Sequence, residues 1–203
     1  MGVKERRERE EQARLEEIFL SAESVFARKG YYETHMDDIA ETAELAKGTI
    51  YYYFKSKDEI FCRLLERESK KVFGAVKTLL DENDSFYRAL EKVINFYVEY
   101  FQANPGFLKM FLPCMCGFVH FEDPGVIRRS LKSYESHRKF IREALQKKIS
   151  RENAVVDLDD LLKFIKTLQI GISLRLLEGS KKEAENAARF FLYLMKRILE
   201  KSS

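Results

Sequence analysis

The sequence predicts an all-α protein, with an N-terminal three-helix domain built on a helix-turn-helix and a larger helical domain after it. Apolar residues recur at three- and four-residue steps along most of the chain, and no stretch alternates with a strand period. Only three prolines and nine glycines occur in 203 residues, so few positions force the backbone out of helix. Charged residues make up 34%, which suits long helices with solvated faces, and the 45% hydrophobic share is enough for a packed core.

In the first predicted helix, residues 8–29, Leu15, Ile18, Phe19, Ala22, Val25 and Phe26 share one face. Gly30 ends it, since glycine accepts a left-handed C-cap without strain. Tyr31 and Tyr32 form a loop. Thr34 or His35 starts a short helix over 36–43, Thr34 being the better side-chain acceptor for an N-cap. Asp37 and Asp38 fall in its first turn, where the helix dipole favours acids. Glu44-Leu45-Ala46 makes a tight turn. A third helix over 47–54 buries Ile50 and Phe54 at i, i+4. Ser56 and Glu59 then fit a capping box at the head of a long fourth helix reaching toward Leu80. The domain boundary is expected in that helix, dividing the chain into 1–61 and 62–203. Further helices are predicted over 85–103, 107–118, 126–150, 157–178 and 181–201.

Several classes of function are disfavoured. No run of eighteen apolar residues exists, and residues 1–17 lack the apolar stretch of a signal peptide, so a cytoplasmic protein with no membrane partner is expected. Cys62, Cys114 and Cys116 are odd in number and have no zinc-like spacing. No nucleophile–base motif or phosphate loop occurs, so the expectation is neither an enzyme nor a protein with a metal or other cofactor. The net charge of +3 says little about nucleic acid, and residues 1–60 hold ten basic against fourteen acidic side chains. From 45 to 57, however, there are three lysines and no acid. Any positive potential that draws phosphate must be focused there.

Two short helices joined by a tight turn and packed on a longer helix make a helix-turn-helix. Once Ile50 and Phe54 are buried, Lys47, Thr49, Tyr51, Tyr52 and Tyr53 remain partly or wholly outward. Successive helical residues are about 100° apart, so three consecutive tyrosines cannot all be internal. Phenolic hydroxyls can donate to phosphates, and their rings can touch thymine methyls. Gly48 would let the backbone approach a duplex closely, and Lys55 and Lys57 add charge beyond the helix.

The stretch IFLSAESVFARKGYYETHMDDIAETAELAKGTIYYYFKSKDEIF resembles the DNA-binding domain of the tetracycline-repressor (TetR) family. The resemblance implies a homodimer with two reading heads in successive major grooves of a double-stranded DNA operator. It also implies that Lys47, Thr49, Tyr51, Tyr52, Tyr53 and Lys57 occupy positions that usually touch DNA, and that Thr34 and His35 lie where the second helix meets phosphate. This chain departs from the family pattern at Glu44, where glycine is usual, at His35, where a hydroxyl is usual, and at Tyr53, where histidine is common.

Beyond Phe61 the resemblance thins. Phe96, Tyr97, Tyr100, Phe107, Phe111, Met115, Phe118, Tyr134, His137, Phe164 and Leu168 are bulky or polar candidates to line a pocket for a lipophilic small-molecule effector. The last two helices are apolar on more than one face, so each must be buried on two sides. Leu161, Ile165, Ile172, Phe191, Met195 and Ile198 are the candidates for a two-fold four-helix interface. The expectation is a ligand-responsive regulator, most simply a repressor released by its effector. A ligand-independent structural DNA-binding protein and a cysteine-based redox sensor are the alternatives.

Overall fold

The structure, a computed structural model, describes residues 2–121, 124–152 and 156–201. The described residues form helices α1 (Val3–Lys29), α2 (Met36–Thr42), α3 (Lys47–Tyr53), α4 (Lys57–Leu79), α5 (Phe86–Ala103), α6 (Pro105–Met115), α7 (Pro124–Glu152), α8 (Leu158–Leu177) and α9 (Lys181–Lys201), and they contain no strand. The fold is all-α, as the hydrophobic period required.

The chain divides into two compact units. One comprises residues 1–68 with 109–130, the other 69–108 with 131–203. The division crosses α4, and the first unit also takes in residues 109–130.

In the first unit, Ile18, Ala22, Val25 and Phe26 of α1 meet Met36, Ile39 and Ala40 of α2, Ile50 of α3, and Ile60, Phe61 and Leu64 of α4. Phe54, just after α3, is fully buried and lies edge-on to Phe19 at 5.4 Å between centroids. Phe26 meets Phe61 in the same manner at 4.8 Å. Edge-to-face pairs of this kind add directional preference to the burial of the rings. Met110 of α6, with Cys114, Val119 and Phe121, packs into the same core.

In the second unit, Phe86, Leu90, Ile94 and Val98 of α5 pack with Leu145 and Ile149 of α7 and with the inner faces of α8 and α9. Ser85 caps α5, its hydroxyl accepting from Arg88 N at 3.1 Å, and Asp157 caps α8, its carboxylate accepting from Asp160 N at 2.9 Å.

Two helix ends differ instructively from expectation. α6 stops at Met115, short of residue 118. Gly117 is left-handed at φ 75°, its N–H donates to Cys114 O, and Phe118 N donates to Pro113 O. That paired closure satisfies the last carbonyls and turns the chain off the helix axis. α8 ends in the same way, with Gly179 at φ 77° and Ser180 N donating to Arg175 O. At α2 the N-cap is His35, not Thr34. Thr34 is fully buried, and its hydroxyl donates 2.6 Å to Gly30 O, so it tightens the preceding loop. Asp38, in the first turn of α2, instead reaches back to the cap residue, its carboxylate accepting from His35 N at 2.9 Å.

Candidate nucleic-acid interface

α3 is seven residues long and only Ile50 within it is fully buried. A short helix with one inward anchor must turn the rest of its side chains outward. Tyr52 is the most exposed, at 81% of its surface, and Tyr51 is about half exposed. Tyr53 is half-buried against the first core and holds Tyr52 edge-on at 5.1 Å. Tyr53 is thereby a wedge that fixes the neighbouring ring. Lys47 and Gly48 are exposed, and Thr49 is partly so. A methyl group built on Gly48 would meet nothing within 4 Å.

Lys47 opens α3, and its ammonium lies 2.6 Å from a carboxylate oxygen of Asp37, both side chains being well exposed. That bond raises the lysine's pKa. Exposed pairs of this sort contribute little to stability, so the ammonium can exchange Asp37 for another anion at small cost. His35 is exposed at the α2 N-terminus. In the turn between α2 and α3, Glu44 takes φ 54°. Left-handed backbone at a non-glycine residue costs about 1–2 kcal/mol, and this is the position where the sequence departs from a glycine-bearing turn.

Lys57, which the resemblance puts at a position that usually touches DNA, is engaged within the protein. Its ammonium donates to the carbonyls of Tyr31, Tyr32 and Thr34, each at 3.0 Å. An ammonium has three N–H donors, and here all three serve the loop before α2. Its neighbour Asp58 is buried and accepts 2.6 Å from the Tyr31 hydroxyl. Thr34, too, points inward, so its hydroxyl faces no outside partner.

The aromatic candidates of the remaining chain fall into groups. Phe96, Tyr97, Tyr100 and Phe107 come together in the second unit with Phe101, their rings 5.6–6.4 Å apart in successive contacts. Val72 and Val76 of α4 close one side of this group. His137 of α7 is buried, lies 4.8 Å from Phe73, and its Nε2 has no hydrogen-bond partner. Burial lowers its pKa. Leu168 packs on the second core. Phe111, Met115 and Phe118 belong to the first unit. Phe118 is strongly exposed and so is Phe164, which removes both from any enclosed lining within their own units. The Tyr134 side chain lies outside the described residues. Two clefts in the second unit, of about 400 and 250 Å³, are walled by other residues, the larger by Leu80, Phe140, Ala144, Lys148 and Arg151 among them.

Most of the residues expected at an interface between copies are buried within the chain. Leu161, Ile165, Ile172, Phe191 and Met195 all face their own core. Only Ile198 is exposed. The outward apolar residues are instead Phe164 and Leu174 of α8 and Phe190, Tyr193, Leu194 and Ile198 of α9, with Phe190 exposed over 63% of its surface. Residues 190, 194 and 198 follow an i, i+4, i+8 spacing, but so do Phe191, Met195 and Leu199 on the inward side. Gly171 of α8 is also exposed, with open space where a side chain would begin.

Cys62 and Cys114 are poorly placed as redox groups. Cys62 is buried, and burial first of all pushes the Cys114 thiol up to about 12. At neutral pH such a thiol is almost wholly protonated, whereas the thiolate is the reactive form. Among the described residues no cluster of metal-ligating side chains occurs, and no helix is long and apolar enough to cross a membrane.

A short outward helix, held across a left-handed turn by a second short helix and seated on two longer ones, defines a helix-turn-helix domain of the kind found in transcriptional regulators. Residues 18–64 match the family model described as bacterial regulatory proteins, tetR family. The match takes in α2 and α3 with the adjoining parts of α1 and α4. The chain is 37% identical over 83 residues to the uncharacterized HTH-type transcriptional regulator YhgD of Bacillus subtilis, covering 39% of this chain and 44% of that one. It is 27% identical over 100 residues to the HTH-type transcriptional regulator QacR of Staphylococcus aureus, covering 41% of this chain and 53% of the relative. The matches thus span about half the length of these relatives. At the level of fold, the structure of the fatty acid degradation regulator FadR from Bacillus halodurans superposes with a TM-score of 0.70 at 14% identity, covering 87% of this chain and 97% of that one.

Proposed function

We propose that this protein is a ligand-responsive transcriptional repressor that binds a palindromic operator as a homodimer. The observation that carries the reading is Tyr52, exposed over 81% of its surface and braced by Tyr53 on a helix whose apolar anchor, Ile50, is fully buried. Exposing a large aromatic ring in an ordered helix serves no internal packing, and a base-edge or sugar contact would use it. Lys47, Thr49, Tyr51 and Tyr52 make up the reading surface, with His35 at the α2 N-terminus placed for a phosphate. Tyr53, Thr34 and Lys57 position that surface from behind.

The exposed stripe of Phe164, Leu174, Phe190, Leu194 and Ile198 is the proposed contact with a second copy, Gly171 allowing close helix approach. Two heads related by a two-fold axis then meet half-sites one helical turn, or a multiple, apart. The effector is a lipophilic molecule received among Phe96, Tyr97, Tyr100 and Phe107, with the unpaired Nε2 of His137 as its polar partner. The link of the similarly folded Bacillus halodurans FadR to fatty acid degradation accords with an aliphatic effector. Release follows if the effector has unequal affinity for the DNA-competent and incompetent states.

The test is selection of an operator from a random duplex pool, followed by anisotropy titration of parent and Tyr52→Ala. The expected loss is about 1–3 kcal/mol of binding free energy with an unchanged melting temperature. A pool that yields no bound duplex, or a variant that binds like the parent, overturns the reading.

A further inference from the structure

The loop between α1 and α2 is held from two directions within the first unit. From one side, Lys57 binds the carbonyls of Tyr31, Tyr32 and Thr34. From the other comes the chain that follows α6. The Tyr32 hydroxyl donates 3.0 Å to Phe118 O and accepts 2.9 Å from His120 N. The Tyr31 ring meets Phe121 edge-on at 5.1 Å, and Phe61 meets the Phe121 ring at 5.7 Å. Tyr32 itself is half exposed and its ring lies edge-on to Tyr31 at 5.2 Å. Burying that ring is therefore not its chief contribution. Its hydroxyl satisfies one donor and one acceptor of an otherwise irregular segment, just after the left-handed Gly117.

We propose that Tyr32 is a coupling residue: its phenol ties the backbone at 118–120 to the loop that launches α2, so the position of the segment after α6 sets the position of the reading head. The chain order makes this a second route into the head besides α4. α6 begins among residues of the second unit, up to Leu108, and continues from Lys109 in the first. A shift of its C-terminal end pulls on Phe118 and His120, and Tyr32 passes the pull to a loop whose carbonyls at 30, 31, 32 and 34 are already held by the Thr34 hydroxyl and Lys57. By linkage, whatever holds the head also holds residues 118–120. The inference rests on the DNA-reading assignment above.

The test is amide hydrogen exchange by mass spectrometry over residues 116–121 and 45–54, with and without a duplex selected by the parent protein, in the parent and in Tyr32→Phe. The variant keeps the ring and loses only the hydroxyl. Without DNA, exchange over 116–121 is expected to be about fivefold faster in the variant, the effect of one lost hydrogen bond. With DNA, the parent is expected to gain protection over both segments, and the variant over 45–54 only. Equal DNA-induced protection of 116–121 in both proteins, or none in the parent, overturns the coupling while leaving DNA reading intact. Failure of the parent to retain any duplex removes the DNA-reading assignment itself, and the coupling with it.

Discussion

Lys57 donates to the carbonyl of Tyr31 at 3.0 Å while its ammonium stands 4.8 Å from the centroid of the same residue's ring. One residue thus receives both a hydrogen bond and a cation–π contact from one lysine. A lysine so engaged has no donor left for phosphate. In Lys57→Met, three loop carbonyls lose their partner, and leaving such groups unpaired costs about 1–3 kcal/mol. Both melting temperature and operator affinity are therefore expected to fall. The salt dependence of binding separates this from loss of a phosphate contact. A contacting lysine removes about 0.9 from the log–log slope, whereas a positioning lysine leaves the slope unchanged. A slope shallower by about one unit in the variant places the ammonium on the DNA.

Gly48 opens a different contrast between stability and binding. Glycine inside a helix is less favourable than alanine by about 0.5–1 kcal/mol, and nothing in the protein needs the space, since an added methyl meets no atom within 4 Å. Gly48→Ala is therefore expected to raise stability by that amount in urea denaturation. If the glycine is kept for close approach of a duplex, the same variant loses operator affinity. A variant more stable and equally tight in binding shows that no partner comes near α3 at this point.

Much of this was legible in the sequence, and the failures share a cause. The apolar period located every helix, and Ile50 with Phe54 announced the inward side of α3. Glu44 stands where the resembled family usually has glycine, and its φ of 54° is the left-handed backbone that glycine adopts without strain. Polar residues were harder, because a hydroxyl or ammonium can serve solvent, DNA or a nearby carbonyl with the same chemistry. Thr34 turns inward to a carbonyl four residues back, and Lys57 to carbonyls up to 26 residues away, a separation no local pattern reveals. In α8 and α9 both faces are apolar, so periodicity alone could not decide which faces the protomer's own core.

That ambiguity yields a paired prediction. Phe190 and Phe191 are neighbours in α9, one exposed over 63% of its surface and the other buried in the second core. Phe190→Asp is expected to leave the melting temperature of the isolated chain nearly unchanged and to shift the protein toward monomer in sedimentation velocity. Phe191→Ala is expected to cost about 3–5 kcal/mol of stability through the lost burial and the cavity left behind. If Phe190→Asp sediments like the parent at micromolar concentration, the outward stripe is not the contact between copies.

His137 supplies the pH dependence. Burial lowers its pKa below the ordinary histidine value of about 6.5. Between the two values the unfolded chain binds a proton that the folded protein does not. Stability therefore rises with pH across that window and falls as the pH drops below about 6.5. The carboxylates Asp38 and Asp84 have lowered pKa values, chiefly through hydrogen bonds from Lys29 and Lys92. Their stabilisation is present above the unfolded carboxylate value of about 3.9 and is lost only as the pH falls through still lower values, so it does not overlap the histidine window. In His137→Phe the unpaired Nε2 is gone, and the decline in melting temperature between pH 7 and pH 5 is expected to flatten. A variant that tracks the parent through that range assigns the decline to another group.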